Sequence, residues 1–253
     1  MRVLVTNDDG IASPGLHALA RRLADDGHAV RVLAPEDDCT GSGAGLGPVN
    51  LAEPCFLRKV SCPGLEDVET YAVKAPPALC VLLAFLGGFD DVPEIVASGI
   101  NVGPNVGAAI LHSGTLGAAL TATHFQSRAV AISHAARGGN QEWAAASALA
   151  AAVVGWLPSA PRGTVINLNV PATRSGVRPS VRAARVASFD TSLRFDVASV
   201  GEIGRHLHWR VGKPDAAEGT DTDLLMRGFA TLTAVHGIGA ADTDVRALAE
   251  ALE

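Results

Sequence analysis

Two adjacent carboxylates follow the first apolar segment of the chain, in the sequence Asn7-Asp8-Asp9-Gly10. Neighbouring anions repel each other, so this pair adds nothing obvious to the stability of the fold. Paired carboxylates at the end of a strand supply the oxygen ligands that Mg²⁺ or Mn²⁺ prefers. The alternative is a polar turn in which Asp8 acts as a cap, and this stretch alone does not decide between the two.

A second loop, residues 34–41, carries three acids and a hydroxyl in the sequence APEDDCTG. Taken by itself, the segment Glu36-Asp37-Asp38 is better explained as a solvated acidic loop. Thr40 adds a hydroxyl oxygen that suits a cation, and Gly41 follows it directly. This loop could take part in binding a cation only if the fold brings it beside Asp8 and Asp9.

A third loop, residues 98–107, reads SGINVGPNVG and is rich in glycine and asparagine. No Asp, Glu, Lys or Arg occurs between residues 95 and 127. Such a loop brings backbone N–H groups close to an anion without steric obstruction. It leads into the sequence HSGT, residues 112–115, just before a predicted helix, where free N–H groups and two hydroxyls are typical of phosphate binding. The alternative is a packing loop in which Ser113 is the N-cap.

Alternating apolar strands and helices must position these three loops. Ser13 is a suitable N-cap and Pro14 a suitable first residue for the first helix, which Gly27 ends. The pattern predicts an α/β fold with three layers, a Rossmann-like open and mostly parallel sheet with helices on both faces. The predicted strands span residues 3–6, 29–34, 68–73, 94–97, 129–133 and 164–169, and the later helices span 77–86, 116–125 and 141–156.

The pattern changes after Pro171. Residues 175–215 alternate in short pieces that predict hairpins outside the main sheet, residues 228–235 predict one more strand, and residues 242–252 predict a final helix. The simplest division is a single domain over residues 1–253. Its core covers about residues 1–174, and a C-terminal β-hairpin and helix extension covers about residues 175–253.

Composition excludes several classes of function. The chain has 253 residues and a net charge of −6 with no long basic run, which argues against binding of nucleic acid. No apolar run approaches the roughly 20 residues of a membrane span, and no secretory signal is recognisable. Four cysteines without CxxC spacing predict free thiols. We therefore expect a cytoplasmic protein with neither a membrane nor a nucleic acid as partner.

The three loops leave the carboxyl ends of predicted parallel strands, which is where ligands bind in open α/β sheets. Together they would supply carboxylates for a metal, neutral oxygens for ligation and a cradle for an anion. This combination predicts metal-assisted hydrolysis of a phosphate ester.

Five segments resemble the SurE (survival protein E) family of nucleotidases. They are VLVTNDDGIASPGLHALARRL, VRVLAPEDDCTGSG, SGINVGPNVG, HSGTLGAAL and INLNVP, in the family's order from residue 3 to 171, with a weaker similarity in GTDTDLLMRGFATLT. The resemblance implies a SurE-like fold and a divalent-metal-dependent phosphatase acting on nucleoside 5′- and 3′-monophosphates. It also implies a homodimer or homotetramer in which the C-terminal extension contributes to subunit contacts.

Site residues follow from the resemblance position by position. The implied metal ligands, for Mg²⁺ or Mn²⁺, are Asp8, Asp9, Thr40 and Asn101. The phosphate- and substrate-binding residues are Asn7, Gly41, Asn101, Asn105, Ser113, Gly114 and Thr115. Asp8 and Asp9 are catalytic candidates, and either an aspartate or a water attacks phosphorus. His112, beside the phosphate cradle, is a candidate proton donor to the leaving oxygen, the alternative being a hydrogen-bonded loop histidine.

Several positions around this set depart from the family pattern. The acid and the tyrosine of a pattern like GxDxxYSGT are absent, and His112 occupies the tyrosine position. GTPADC has become APPALC, a Glu-Gly pair has become Thr121-Ala122, and the acids of loop 34–41 replace basic or amide residues. Changes of this kind around a metal site reduce affinity or activity by about 10–100-fold. The alternative function is therefore a catalytically weak relative that binds a nucleotide or phosphorylated metabolite.

Overall fold

The computed structural model describes residues 1–50, 52–135, 143–173, 177–188, 193–201, 204–211 and 216–237. None of the helices in these ranges is long and apolar enough to cross a membrane. The predicted final helix at residues 242–252 lies outside the described residues.

Within the described ranges, nine strands form one sheet in the order β3-β4-β2-β1-β5-β6-β7-β11-β8. Neighbouring strands are parallel except at β3–β4 and β7–β11, so the prediction of an α/β fold with a mostly parallel sheet is confirmed. The strands of this sheet are β1 (Arg2–Thr6), β2 (Ala29–Pro35), β3 (Arg58–Lys59), β4 (Glu69–Val73), β5 (Ile95–Val102), β6 (Arg128–His134), β7 (Val165–Val170), β8 (Val181–Ala183) and β11 (Ala230–Val235).

Helices cover both faces of the sheet and create two separate hydrophobic clusters. One cluster contains residues of α1 (Pro14–Asp25) and α4 (Trp143–Trp156), and the other contains residues of α2 (Pro77–Phe85) and α3 (Gly114–Thr121). In β1, Val3 and Val5 belong to the first cluster and Leu4 to the second, as the two-residue period of a strand requires. Each fully buried side chain of this size contributes about 1.5–3 kcal/mol to folding.

The structure differs from the sequence prediction in several elements. The segment from residue 98, expected to be a loop, continues β5 to Val102 with an irregular register between Ser98 and Asn101. The short strand β8 joins the main sheet, which corrects the expectation that residues 175–215 lie outside it, because β11 offers β8 a free parallel edge. As predicted, β9 (Leu193–Gly201) and β10 (Gly204–Val211) form a separate hairpin. A short helix, α5 (Asp221–Met226), was not expected.

Helix α1 approaches the end of β5 so closely that only glycine fits at position 15. A Cβ atom added to Gly15 would overlap the carbonyl oxygen of Ile100. Gly155, on the exposed side of α4, has nothing within 4 Å of such an atom. The two glycines therefore serve as a matched pair for testing this contact.

We predict that Gly15→Ala lowers the free energy of unfolding by about 1–3 kcal/mol, because backbone must move to accept the methyl group. We expect Gly155→Ala to leave it unchanged or raise it by up to about 1 kcal/mol, since alanine restricts the unfolded chain. Urea denaturation followed by circular dichroism measures both variants. Equal stability of the two variants would contradict the close packing of α1 on β5.

Candidate active site

Asp8 and Asp9 lie directly after β1, at the carboxyl edge of the sheet. Asp8 is only 2% exposed, and its Oδ1 accepts a hydrogen bond of 2.6 Å from the Thr115 hydroxyl. The backbone N–H of Val102 donates to Asp9 Oδ2 over 3.4 Å. The two carboxylates are therefore held from two sides, by α3 and by the end of β5.

Burial raises the pKa of both carboxyl groups. For Asp9, desolvation and then the charge of Asp8 raise the pKa to about 6. Desolvation raises the pKa of Asp8 as well, and the hydrogen bond from Thr115 offsets part of that rise. Asp38 adds a further negative charge that acts on both groups. No cationic side chain of the described residues offsets these shifts at Asp8 and Asp9, and a bound cation would do so.

Asn7 shapes the turn that carries the two aspartates. Its Nδ2 donates a 3.0 Å hydrogen bond to the Gly10 carbonyl. Its Oδ1 is buried and has no hydrogen-bond partner among the described residues. Gly10 has a φ of +91°, and the Asp37 backbone lies 3.1 Å from where its Cβ would be. Glycine is therefore required where the first loop touches the second.

The second loop is tied to the end of β1 through its backbone. Cys39 N donates to the Asp8 carbonyl over 2.7 Å. The hydroxyl and the backbone N–H of Thr40 both donate to Asp38 Oδ1, at 2.6 and 2.7 Å. Thr40 and Gly41 are exposed, so the hydroxyl oxygen of Thr40 stays accessible. The fold thus brings the loop that carries Thr40 beside the first carboxylate pair.

The start of α3 lies directly against Asp8. A Cβ on Gly114 would lie 2.8 Å from Asp8 Oδ2 and 2.6 Å from the hydroxyl of Ser42. Ser113 is the N-cap of α3, because its hydroxyl accepts the Leu116 N–H over 3.0 Å. The glycine keeps the approach to the Asp8 carboxylate and to the first N–H groups of the helix clear of side chains.

The glycine-rich loop places two asparagines near the carboxylates in different ways. Asn101 is buried and donates from Nδ2 to the Gly103 carbonyl over 2.7 Å, and its Oδ1 accepts no hydrogen bond from any described residue. Asn105 Nδ2 donates to Ser133 over 2.8 Å and, more weakly, to the Thr115 hydroxyl over 3.4 Å. Asn105 is therefore joined to Asp8 through Thr115.

Two buried asparagines of β7 fix the position of Asn105. Asn167 and Asn169 donate to the Asn105 carbonyl at 2.8 and 2.9 Å, and Asn169 Oδ1 accepts the Asn105 N–H at 2.8 Å. Sequence reasoning assigned no role to this pair. Its signal was two asparagines at alternate positions within an otherwise apolar strand, where buried polar groups need a partner.

The sequence also indicated no role for Asp221 or Ser42. Asp221 is fully buried in α5, and its carboxylate accepts the N–H groups of Gly107 and Ala187 at 3.0 and 2.9 Å. It therefore fixes the far end of the glycine-rich loop. The hydroxyl of Ser42 is buried beside Gly114 with no hydrogen-bond partner among the described residues.

His112 ends a 3₁₀ turn, Gly107–His112, immediately before α3. Its side chain is exposed and makes no hydrogen bond to another described residue, and its carbonyl accepts the Gly43 N–H over 3.2 Å. The alternative of a hydrogen-bonded loop histidine is therefore not supported within the described residues. The imidazole remains accessible at the start of the helix.

One acid of the second loop is neutralised by a neighbouring strand. Arg58 of β3 contacts Glu36 Oε1 with two nitrogens, at 2.9 and 2.5 Å. Asp38, by contrast, receives only the two neutral hydrogen bonds from Thr40 among the described residues. Neither Asp37 nor Asp38 pairs with a cation of the described residues, so negative charge remains beside Asp8 and Asp9.

The donor chemistry fits a hard divalent cation. Two carboxylates, one amide oxygen and one hydroxyl are oxygen donors of the kind that Mg²⁺ and Mn²⁺ bind. No group of three or more His, Cys, Asp or Glu side chains suited to a metal occurs in the described part of the chain. A cation at this edge would therefore depend on neutral oxygens in addition to Asp8 and Asp9.

The family model described as Survival protein SurE matches residues 3–192. This chain belongs to the SurE family. A 5′-nucleotidase SurE of Desulfitobacterium hafniense is 32% identical over 239 residues, covering 93% of this chain and 91% of that protein. The 5′-nucleotidase SurE of Desulforudis audaxviator is 34% identical over 229 residues, covering 88% and 85%. The resemblance to SurE proteins found in the motifs is thereby confirmed.

A solved SurE structure has the same fold. The crystal structure of the SurE protein from Aquifex aeolicus superposes with a TM-score of 0.81 at 26% identity, covering 100% of this chain and 99% of that one. The agreement therefore extends beyond the matched motifs to the whole SurE fold.

We predict that Asp9→Asn stabilises the metal-free protein near neutral pH. Because the pKa of Asp9 rises on folding from 3.8 to about 6, the native state binds more protons than the unfolded state in that window. The contribution of Asp9 to stability is therefore present below pH 4 and is lost as the pH rises through 6. Unfolding in urea with a chelator, at pH values from 4 to 7, measures the difference between variant and wild type.

The stability advantage of Asp9→Asn should grow from pH 4 to pH 7. Asp90→Asn, a change at an exposed acid before β5, should show no such growth. If the difference in the free energy of unfolding between Asp9→Asn and wild type were constant across this range, the raised pKa of Asp9 would be contradicted.

Proposed function

We propose that this protein is a divalent-metal-dependent phosphomonoesterase that hydrolyses a nucleoside monophosphate, or a related phosphorylated small molecule, and releases inorganic phosphate. The observation that carries the proposal is the contact between Asp8 and the start of α3, where Thr115 donates to the carboxylate over 2.6 Å. A carboxylate pair and a helix N-terminus suited to an anion share one small volume. A phosphate enters there only if a cation offsets the carboxylates.

The residues that would hold the cation are Asp8, Asp9, Asn101 and Thr40. The first two supply charge, and the Asn101 amide oxygen and the Thr40 hydroxyl supply neutral oxygens. When bound, Mg²⁺ or Mn²⁺ neutralises the carboxylates and polarises a phosphoryl oxygen.

The phosphate would lie against the N-terminus of α3. The segment 113–115 offers backbone N–H groups, and Gly114 leaves room for the phosphoryl oxygens. Asn105, fixed by β7, and the amide of Asn7 are further candidates for contact. Ser42, whose buried hydroxyl faces Gly114, is an additional donor. In this arrangement Gly41 gives the second loop the turn, with a φ of +83°, that carries it past the site.

Asp8 and His112 have separate roles in the proposed reaction. Asp8 acts at the phosphorus atom, and His112 acts at the ester oxygen that leaves. Thr115 holds Asp8 Oδ1, so Oδ2 is the oxygen that either attacks phosphorus or takes a proton from an attacking water. If Oδ2 attacks, it forms an aspartyl phosphate as the ester bond breaks, and a water then hydrolyses that intermediate to release inorganic phosphate and restore the carboxylate. His112 donates a proton to the departing ester oxygen, which leaves as an alcohol. Its exposure at the start of α3 suits a group that exchanges protons with solvent.

The similarity to proteins named 5′-nucleotidase SurE supports a nucleotide as the substrate. The proposal includes a homodimer or homotetramer with contacts through the C-terminal extension. It also includes a cytoplasmic location, supported by Cys39, Cys55, Cys62 and Cys80, all of which are free thiols.

The second candidate is a SurE-like protein that binds a phosphorylated ligand without efficient turnover. The observation that favours it is the turn at 107–112, where the family's acid position is Ala109 and its tyrosine position is the exposed His112. The hydrogen bonds that Asp221, Asn167 and Asn169 make to the glycine-rich loop argue against this second candidate.

We predict that phosphate release from nucleoside monophosphates requires Mg²⁺ or Mn²⁺ and falls about 100-fold or more in Asp8→Asn, since several kcal/mol of charge stabilisation are lost. Asp90→Asn, at the opposite edge of the sheet, should retain wild-type turnover. A colorimetric phosphate assay over a panel of nucleotides and sugar phosphates measures this. Tight binding without any release would favour the second candidate, and full activity of Asp8→Asn would exclude the assigned site.

A further inference from the structure

A cavity of about 660 Å³ lies beside the candidate site, at the carboxyl ends of β2 and β4. Cavities of about 300–1,000 Å³ are the size that binds small organic molecules. None of the residues assigned to the metal or the phosphate lines it. The residues that line this cavity therefore have no role in the proposed binding of the metal or the phosphate.

The cavity is connected to the carboxylate site by short segments of backbone. Glu36, which lines it, is the residue after β2, and its N–H donates to the Val73 carbonyl at the end of β4 over 2.8 Å. The next residue, Asp37, contacts Gly10 beside Asp9. β4 is two strands away from β1 in the sheet, or roughly 10 Å at the usual strand spacing. A ribose bridges a gap of this kind between a 5′-phosphate and its base.

Part of the cavity lining is apolar and includes an exposed aromatic ring. Leu79 and Leu83 of α2 and Val49 of the long loop after β2 form aliphatic surface. Phe56 also lines the cavity and is 77% exposed, the largest exposed fraction among the large hydrophobic side chains described. An exposed phenyl ring that faces a cavity offers a surface on which a planar group stacks.

Polar side chains also line the cavity. They include Asn50, Glu53 and Lys74, and Glu36 is held there by Arg58. Lys74 makes no ion pair with another described residue, in a chain with a net charge of −6. A ligand with apolar faces and hydrogen-bonding edges satisfies both parts of this lining, whereas a simple sugar or alkyl group uses only one.

We propose that this cavity binds the base of a nucleoside monophosphate, with Phe56 as the side chain on which the base stacks. The proposal rests on the proposed phosphomonoesterase function and assigns the leaving group of that reaction to a site. Phe56 is a specificity residue in this account, because it contacts the base and takes no part in the chemistry at phosphorus.

The test compares two substrates in the full-length protein with Mn²⁺. We expect Phe56→Ala to lower kcat/KM for adenosine 5′-monophosphate by about 10-fold or more, as removal of a stacking ring does elsewhere. The same variant should leave kcat/KM for ribose 5-phosphate within about 2-fold. Phe56→Trp, which keeps an aromatic face, should retain preference for the nucleotide. Leu86→Ala removes a side chain that is 71% exposed at the end of α2 and should change neither value.

Three results would overturn the proposal. They are an equal loss of kcat/KM on both substrates in Phe56→Ala, no loss on any of the four common nucleoside monophosphates, and a loss of the same size in Leu86→Ala. Because the Phe56 side chain is largely exposed, its truncation should leave the fold intact, and circular dichroism checks this.

A second measurement separates failure of the cavity from failure of the proposed function. If the wild type releases no phosphate from either substrate, the phosphomonoesterase proposal fails. Saturation-transfer NMR with free adenosine, guanosine, cytidine and uridine still tests the cavity, because a nucleoside has no phosphate and needs no metal. We expect transfer to base protons in the wild type and in Leu86→Ala, and weaker transfer in Phe56→Ala. No transfer from any nucleoside would overturn the proposal.

Discussion

Two like charges are held side by side at the buried end of β1, and the surrounding structure is organised around them. Burial and mutual repulsion raise the pKa of Asp9 to about 6, and burial raises that of Asp8. Such strain is typical of functional sites, where stability is given up for chemistry. The proposed divalent cation would offset this repulsion and would at the same time make the site attractive to a phosphate.

Three loops hold this charge pair through contacts that tolerate little change. Gly10 and Gly114 lie where a Cβ atom would meet the second loop or the Asp8 carboxylate. Thr115 connects Asp8 to Asn105, whose carbonyl is fixed by Asn167 and Asn169. The positions of the carboxylates therefore depend on hydrogen bonds that begin in β7, three strands away from β1. A site built on rigid strands in this way keeps its geometry while exposed loops vary.

The sequence was sufficient to predict the α/β class, most strands of the parallel sheet and the three loops that meet at its edge. Alternating apolar segments separated by helical spacing carry that information locally. The continuation of β5 through Asn101 was not predicted, because glycine and asparagine disfavour strands unless neighbouring strands hold them. The membership of β8 in the main sheet was missed for a similar reason, since its three residues form a strand only beside β11.

The sequence motifs were also sufficient to predict the family and the candidate metal- and phosphate-binding residues. The residues that support this site were identified only from the three-dimensional structure. Asp221 is separated from Gly107 by 114 positions, and no local pattern indicates that a carboxylate so distant accepts its N–H. Ser42 looks like any loop serine until its hydroxyl is found buried beside Gly114. The cavity next to Phe56 combines side chains from β4, α2 and the long loop after β2, which a one-dimensional pattern does not relate.

The most direct measurement is the location of Mn²⁺ by anomalous scattering in crystals soaked with the ion. The account predicts one strong peak at about 2.1 Å from carboxylate oxygens of both Asp8 and Asp9, with the Asn101 side-chain oxygen also coordinated. It predicts that the peak disappears in Asp8→Asn. A peak elsewhere on the molecule, or a wild-type crystal with no peak at Asp8 and Asp9, would contradict the central claim.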